Sequence, residues 1–491
     1  MKKSDLRNVL SRWPIYGLVL CLAALPARTS VADHDDDDHD RDSDSRPAVH
    51  PPDGLRVQPQ RPERELREIL RAIDRHHIEA TIRTLSGFGT RQLESSMTDP
   101  NRGIGAALNF VFTTMQGYAA HSSGRMTVAL QTYHQAAVAG AVLNPDGVDV
   151  TNVVATIQGS LTPNRIYVVS GHLDSRCTIL TNHTSDCPGA DDDASGTAVS
   201  MELARVLSTH APESTIVLTV VDGEEEGLFG SANQAKLFKA AGADIQGMFS
   251  DDIVGASRAQ DGTSDAHRIR LFSEGVPTLD TSLNAQLRVL VGGENDSQSR
   301  QLARFVKSVA ENEETDMTVW MVNRRDRYLR ASDHVSYQSQ GYAAARFTEP
   351  NETFAHEHQD VRVDPATGVQ FGDLIDFDDF SYMERVARVN AASLWSLSQG
   401  PGTPKNVLIQ AQVLTNDTTM NWAADTDPDL AGYEVVWRET TAPDWTNAIP
   451  VGNVTTVTLP LSPKDNFQFG VRAVDKDGHH SPVAFPVTKF N

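Results

Sequence analysis

Basic residues are scarce in this sequence relative to acidic ones. The chain has 43 lysines and arginines against 65 aspartates and glutamates, which gives a formal net charge of −22. A surface this acidic repels the phosphate backbone of nucleic acids and the headgroups of anionic lipids. We therefore expect no nucleic-acid partner.

A hydrophobic run long enough to cross a membrane is missing near the amino terminus. The apolar stretch from Ile15 to Leu25 has eleven residues, too few for a bilayer. Basic residues precede it and a small-x-small site, Ser30-Val31-Ala32, follows it, as in a secretory signal peptide. Leu20 stands where a lipoprotein signal has a small residue before its cysteine, which argues against lipid attachment at Cys21.

These features predict a signal peptide at residues 1–32 and a protein secreted to the extracellular space or periplasm, without stable membrane insertion. The segment carries five basic side chains and one acidic side chain, so its removal makes the formal net charge −26. Two of the three cysteines then remain, Cys177 and Cys187. In an oxidising compartment we expect them to form a disulfide, with a thiolate zinc site as the alternative.

The length and the changes in composition predict two folded regions after the signal peptide. Residues 33–62 are rich first in Asp and His and then in Pro, which predicts a disordered linker. The His-Asp run could bind metal ions, although a solvated spacer is the simpler interpretation. Residues 63–400 form the first folded region and residues 403–491 the second.

Residues 63–400 contain apolar runs of strand length that alternate with helical patterns. This alternation predicts an α/β fold with a mostly parallel central sheet flanked by helices. From about residue 403 the apolar residues alternate one by one between turns, which predicts a small all-β sandwich. The closing segment, Phe469 to Pro482, resembles the end of a fibronectin type III domain.

Polar residues follow several of the predicted strands at the point where each strand ends. Because the carboxyl ends of parallel strands lie at one edge of a sheet, we expect these side chains to converge there. Two histidines and three carboxylates form a ligand set suited to zinc. A carboxylate at a helix entrance can also bridge two ions about 3.5–4 Å apart. No HExxH motif occurs, which excludes the helical zinc proteases built on it.

Six motifs in order resemble those of the co-catalytic zinc exopeptidases, which include the secreted bacterial leucyl aminopeptidases and, more distantly, glutamate carboxypeptidase II. The resemblance covers roughly residues 65–400. The motifs are Gly171–Ser175, Gly189–Gly196, Glu224–Ser231, Asp252–Gly255, Ser332–His334 and Thr353–Asp360.

The resemblance implies two zinc ions per chain, with Asp192 shared between them. It assigns His172 and Asp252 to one ion and Glu225 and His356 to the other. It makes Glu224 the general base that takes a proton from the attacking water.

Further features are implied by the same resemblance. Asp174 would not bind metal itself but would contact His172 and fix its tautomer. The peptide bond between Asp192 and Asp193 would be cis. Ser332-Asp333-His334 would support the site without binding metal.

Alternatives remain at several positions. His358 competes with His356, which we prefer because the family keeps a carboxylate four residues after its histidine and Asp360 fits that spacing. Asp251 competes with Asp252, and the Ile-Val-Gly that follows favours Asp252. Some relatives carry an oxyanion-stabilising tyrosine three residues before Ser332, where this chain has Leu329 beside Tyr328. The candidate substrate contacts are arginines 324, 325, 327 and 330, with a solvated or salt-bridged role as the alternative.

We predict a secreted zinc aminopeptidase that acts on peptides or proteins as a monomer. The competing enzymes on the same fold are a dinuclear zinc carboxypeptidase and a single-zinc glutaminyl cyclase. A metal-free binding protein that uses the sandwich is the alternative outside enzymes. The ligand types also admit cobalt or manganese.

Overall fold

A computed structural model describes residues 54–488 of the chain. The predicted signal peptide and residues 33–53 of the predicted linker lie outside the described residues. The helices are α1 (Arg64–Ala72), α2 (Arg75–Ser86), α3 (Ile104–Ala120), α4 (Ala194–Leu207), α5 (Phe229–Ala240), α6 (Ser282–Leu290), α7 (Gln298–Ala310), α8 (His334–Gln338) and α9 (Phe380–Gln399), with a 3₁₀ turn at Ile375–Phe377.

The strands fall into one large sheet and three small ones. They are β1 (Leu55–Arg56), β2 (Met126–Gln135), β3 (Val148–Ile157), β4 (Thr162–His172), β5 (Ser214–Val221), β6 (Asp244–Asp251), β7 (Arg268–Phe272), β8 (Thr318–Val322), β9 (Ala344–Thr348), β10 (Arg362–Val363), β11 (Gln370–Phe371), β12 (Leu408–Ile409), β13 (Thr418–Asn421), β14 (Leu430–Glu439), β15 (Asn447–Gly452), β16 (Thr456–Leu459) and β17 (Phe467–Asp475).

The large sheet has the order β2-β3-β5-β4-β6-β9-β7-β8. Its centre is parallel, since β4 pairs in parallel with both β5 and β6, and β6 pairs in parallel with β9. Every residue of β5 is buried, as expected for a central strand covered on both faces. This confirms the predicted α/β fold, with antiparallel pairing of β2, β3 and β5 and of β7 with β9 added to the parallel centre.

Helices cover both faces of this sheet. Alternate residues of β4 belong to different apolar clusters: Tyr167 and Val169 pack on the face covered by α4 and α9, and Val168 packs on the face covered by α5 and α8. Because side chains alternate along a strand, one strand serves both cores. The carboxyl ends of β4, β5, β6 and β9 remain at one edge, which leaves that edge open for a site.

The carboxyl-terminal region contains two small antiparallel sheets. One has the order β1-β15-β14-β17 and the other β12-β13-β16. Both contribute to one apolar core that includes Met420, Val435 and Phe469. This agrees with the prediction that the region is all-β, whereas the resemblance to a fibronectin type III domain stays a prediction.

Residues 54–62 differ from our prediction that they belong to a disordered linker. Leu55 and Arg56 form β1 at the edge of the small sheet, opposite Ala448 and Asn447. The backbone of His480 also donates to the side chain of Gln60. An edge strand offers unpaired backbone groups, and this segment occupies them.

Among residues 54–488, no helix is long and apolar enough to cross a membrane.

Candidate metal centre

The chain brings its predicted polar groups together at the carboxyl edge of the large sheet. His172 is the last residue of β4, and Asp192 lies two residues before α4. Glu224 and Glu225 follow β5, and Asp252 follows β6 directly. Buried strands thus deliver each group to the same place, as predicted from the sequence.

Asp192 lies between two imidazoles. Its Oδ1 is 3.1 Å from His172 Nε2, and its Oδ2 is 2.8 Å from His358 Nε2. Asp252 Oδ1 is 4.0 Å from His172 Nε2, and Glu225 Oε1 is 3.1 Å from His358 Nε2. The donors therefore form two groups that share Asp192.

The structure corrects the prediction that His356 is the histidine beside Asp192. Its ring stacks on Phe377, with centroids 3.6 Å apart, and does not join Asp192. His358 takes the place beside Asp192 and Glu225. The backbone turns at His358, where φ is +54°. We preferred His356 because of its spacing to Asp360, and that spacing does not reveal the turn.

The start of α4 holds the loop around Asp192. Asp193 Oδ1 accepts from the Gly196 N–H and caps the helix, and its Oδ2 accepts from the His172 N–H at 2.8 Å. The peptide bond between Asp192 and Asp193 is cis, as the resemblance implied. One side chain thus fixes the end of β4 to the start of α4.

Asp174 has a broader role than the one we predicted. His172 Nδ1 lies 3.1 Å from the Asp174 carbonyl oxygen and 3.6 Å from its carboxylate. The carboxylate accepts from the backbone N–H groups of Glu224 and Glu225, at 3.1 and 2.8 Å. Asp174 therefore orients both the histidine and the Glu-Glu pair.

Two positioning residues went unnoticed in the sequence. Asp373 accepts from the backbone N–H groups of Asp191 and Asp192, at 2.8 and 2.7 Å. The buried Arg346 donates to Asp252, with Nη2 3.0 Å from Oδ1, and also contacts Asp326. Neither residue lies in a motif, so only the folded chain identifies them.

Glu357 was also missed, although it precedes His358. One of its carboxylate oxygens lies in a group with ligand atoms of Asp192 and His358 that are all within 4.8 Å of one another. Arg330 forms an ion pair with its Oε1.

The Ser332-Asp333-His334 segment lies behind the site. Ser332 Oγ is 2.8 Å from Ser250 Oγ, and Ser170 donates to Asp333 at 3.4 Å. His334 Nε2 contacts the Arg325 carbonyl oxygen at 2.9 Å. These contacts agree with a supporting role.

Tyr328, the candidate oxyanion donor, is 80% exposed, and its ring packs against the guanidinium of Arg324. Leu329 beside it is fully exposed. The geometry gives neither residue a place at Asp192.

The electrostatics of the cluster indicate a cation site. Burial lowers the pKa of His172, but the carboxylates of Asp193, Asp174 and Asp192 more than offset this and raise it well above its usual value. Burial likewise lowers the pKa of His358, while Glu225 and Asp192 raise it to about 10. Burial raises the pKa of Glu224 well above its usual value, and Asp252 adds to that rise.

These donors fit zinc. Glu225 Oε1 is buried without a hydrogen-bond partner, and the two imidazole Nε2 atoms approach opposite oxygens of Asp192. Imidazole and carboxylate are ordinary zinc ligands. Buried carboxylates in this number need compensating positive charge.

A disulfide closes the loop beside the site. Cys177 and Cys187 are bonded, with Cα atoms 5.3 Å apart, as predicted. Next to Cys177, Thr178 exchanges two hydrogen bonds with Asp360, at 3.2 and 3.0 Å. The loop is thereby fastened to the segment that carries His358.

Comparison with known proteins identifies the family of this chain. The sequence model of peptidase family M28 matches residues 152–375. A probable zinc metalloprotease of Pyrenophora tritici-repentis (strain Pt-1C-BFP) is 48% identical over 443 residues, which cover 89% of this chain and 90% of that protein. A probable zinc metalloprotease of Pyricularia oryzae (strain 70-15 / ATCC MYA-4617 / FGSC 8958) is 46% identical over 467 residues, which cover 94% of this chain and 92% of that protein.

Among solved structures, the chain is similar to the Legionella pneumophila LapA aminopeptidase. The identity is 17% and the TM-score 0.48, over 68% of this chain and 74% of that one. The high identity to the two probable zinc metalloproteases, over nearly their full lengths, is what decides the family. The chain therefore belongs to peptidase family M28, as a zinc metallopeptidase.

Proposed function

We propose that this protein is a secreted aminopeptidase that holds two zinc ions and removes amino-terminal residues from peptides. The observation that carries the proposal is Asp192, which has one imidazole Nε2 on each carboxylate oxygen. A carboxylate shared in this way suits a pair of ions. His172 and Asp252 would hold one ion, and Glu225 and His358 the other.

Glu224 is the proposed general base. Its backbone is fixed by Asp174, and burial raises its pKa, which is the direction that favours taking up a proton from water. Bound zinc supplies acidification of water and polarisation of the substrate carbonyl. Glu224 accepts the proton of the attacking water and gives it to the departing amine nitrogen.

The charges around the centre favour an amino-directed enzyme. Arg327 and Arg330 approach the site but pair with Glu352, at 2.9 and 3.2 Å. Each also pairs with a second carboxylate, Arg327 with Asp326 and Arg330 with Glu357, so both are poorly suited to receive a carboxyl terminus.

The first test is hydrolysis of amino-acyl anilides, amino-blocked anilides and carboxyl-blocked peptides, with and without a chelator. We expect cleavage only of substrates with a free amino terminus, and loss of activity with the chelator. Release of carboxyl-terminal residues would favour the carboxypeptidase instead. One tight zinc per chain, together with cyclisation of glutaminyl peptides, would favour the cyclase.

The variant Glu224→Gln tests the base. We expect kcat to fall about 10²–10⁴-fold, because a positioned acid-base group is removed. Zinc content, measured by mass spectrometry, should stay at the wild-type value. Glu313→Gln, at an exposed position, is the matched control and should behave like the wild type. Full activity in Glu224→Gln would disprove the assigned role.

A further inference from the structure

Arg176 is an arginine at the metal centre that has not been given a role above, and unlike the buried Arg91 it is partly exposed. Its Nη1 lies 3.6 Å from Glu225 Oε2, beyond hydrogen-bond distance. The Arg176 side chain is 23% exposed and that of His358 is 27% exposed, whereas Glu225 and Asp192 are almost fully buried. The guanidinium therefore lies on the side of the centre that solvent, and hence a substrate, can reach.

The backbone on both sides of Arg176 is held firmly. Ser175 Oγ donates to the Cys187 carbonyl oxygen at 2.8 Å and accepts from the Arg91 N–H at 3.0 Å. Cys177 is in the disulfide, and Thr178 is bonded to Asp360. A group held in this way loses little entropy when it binds a ligand.

Other arginines near the centre are committed to carboxylates. Arg346 is fully buried between Asp252 and Asp326. Arg327 and Arg330 pair with Glu352. The only hydrogen bond found for Arg176 within residues 54–488 runs from Nε to the Cys177 carbonyl oxygen, at 3.4 Å. Its terminal N–H groups therefore face Glu225 and the open side.

Peptide hydrolysis at the proposed centre would create a negative charge on the substrate. Water adds to the carbonyl carbon, its proton passes to Glu224, and the carbonyl π electrons move to the oxygen, which becomes an oxyanion. An electron pair of the oxyanion then re-forms the C=O bond as the C–N bond breaks. The C–N electron pair goes to the nitrogen, which takes the proton from Glu224. Donors fixed around the oxyanion stabilise the transition state more than the substrate.

We propose that Arg176 is a further catalytic residue, whose guanidinium donates hydrogen bonds to this oxyanion. The proposal rests on the proposed peptidase function. Arginine suits the task because it stays protonated and presents several N–H groups in a fixed plane. Its partial burial strengthens the interaction relative to bulk water.

The test compares Arg176→Gln and Arg176→Lys with the wild type, all loaded with zinc. The probe is an α-aminophosphonate with an apolar side chain, whose anionic tetrahedral group imitates the oxyanion, and binding is measured by calorimetry. We expect Arg176→Gln to bind it at least 10-fold more weakly and to lose about 10²-fold in kcat, with KM changed little. Arg176→Lys should recover part of both losses because it keeps the charge.

Arg102→Gln is the matched control. Arg102 holds the same disulfide loop through Asp186 and the Thr184 carbonyl oxygen, at 2.6 and 2.7 Å. This variant should bind the phosphonate like the wild type. Equal weakening in both variants would attribute the effect to loop mobility and overturn the proposal.

Three other results would also overturn it. One is unchanged phosphonate affinity in Arg176→Gln. Another is a loss of zinc from that variant, which would make Arg176 a support for Glu225. The third is a rise in KM confined to peptides with a free terminal carboxylate, which would make Arg176 a carboxylate receptor. If the wild-type protein cleaves no peptide, the proposed function is wrong. The phosphonate affinities would still decide whether Arg176 binds such an anion.

Discussion

A difference of two positions decides which histidine belongs to the metal centre. His356 and His358 both follow β9, but only the latter turns its Nε2 toward Asp192. His356 instead packs flat on Phe377, where an aromatic ring gains contact area. The ligand set that we propose is therefore His172, Asp192, Glu225, Asp252 and His358.

The paired variants His358→Ala and His356→Ala test this assignment. Loss of a residue that only supports a ligand typically lowers metal affinity roughly 10–100-fold. Loss of the ligand nitrogen of His358 should lower the affinity of the zinc site that includes Glu225 by more than this. We therefore expect about one zinc per chain in His358→Ala after dialysis, and wild-type zinc content in His356→Ala. The measurement is metal content by mass spectrometry. Wild-type zinc content in His358→Ala, together with about one zinc per chain in His356→Ala, would make His356 the ligand.

At the scale of elements, cross-strand pairs stabilise the small sheet that carries β1. Glu434 on β14 lies opposite Arg472 on β17, and its carboxylate accepts from Arg472 Nε at 2.8 Å. His480 Nε2 is 3.5 Å from the same carboxylate. Burial raises the pKa of Glu434, but His480 and Arg472 more than offset this and lower it to about 2.

A lowered folded-state pKa makes this contribution depend on pH. The unfolded chain protonates Glu434 near pH 4.5, so the stabilisation is fully present above that value and is lost as pH falls toward about 2. Glu434→Gln should reduce the free energy of unfolding by roughly 1–3 kcal/mol at pH 7, with the deficit shrinking between pH 4.5 and pH 3.

Denaturant unfolding at several pH values measures this deficit. Glu439→Gln, at the exposed end of the same strand, is the control with the same change of charge. A deficit that stays constant from pH 7 to pH 3 would contradict the ion-pair explanation.

At the scale of the whole molecule, buried charges connect the α/β region to the carboxyl-terminal sheets. Asp296, just before α7, accepts from Arg304 on α7 at 2.6 Å and from Arg438 on β14 at 2.9 Å. All three side chains are at most 4% exposed. The sheet that carries β14 is thus joined to the peptidase region through a desolvated network. Removing Asp296 would leave two buried guanidinium groups without their shared carboxylate.

Asp296→Asn should therefore be strongly destabilising. We expect the free energy of unfolding to fall by roughly 3–5 kcal/mol, because two buried guanidinium groups lose their carboxylate. The control is Asp244→Asn, which breaks an exposed pair with Lys405 and should cost at most about 1 kcal/mol. Calorimetric or denaturant unfolding of both variants measures the difference. Similar losses would contradict the importance of burial at Asp296.

The sequence alone determined the features that depend on short stretches of chain. A buried strand that ends in His172, or that is followed by Glu224 and Glu225, is visible in the order of the residues, since apolar runs and polar strand ends are local patterns. The fold class followed from such patterns, and the Cys177–Cys187 disulfide followed from the number of cysteines. The resemblance of the motifs supplied His172, Asp192, Glu225 and Asp252, which the structure brings to one place.

Only the tertiary structure decided which distant groups meet those strand ends. Asp373 reaches the backbone of Asp192 across 181 positions of chain, and Arg346 reaches Asp252 across 94. The choice of His358 depends on a local turn and on the packing of Phe377, and residues 54–62 are ordered by a sheet edge formed more than 380 residues later. Such contacts depend on where packed elements bring their side chains, which no pattern of neighbouring residues records.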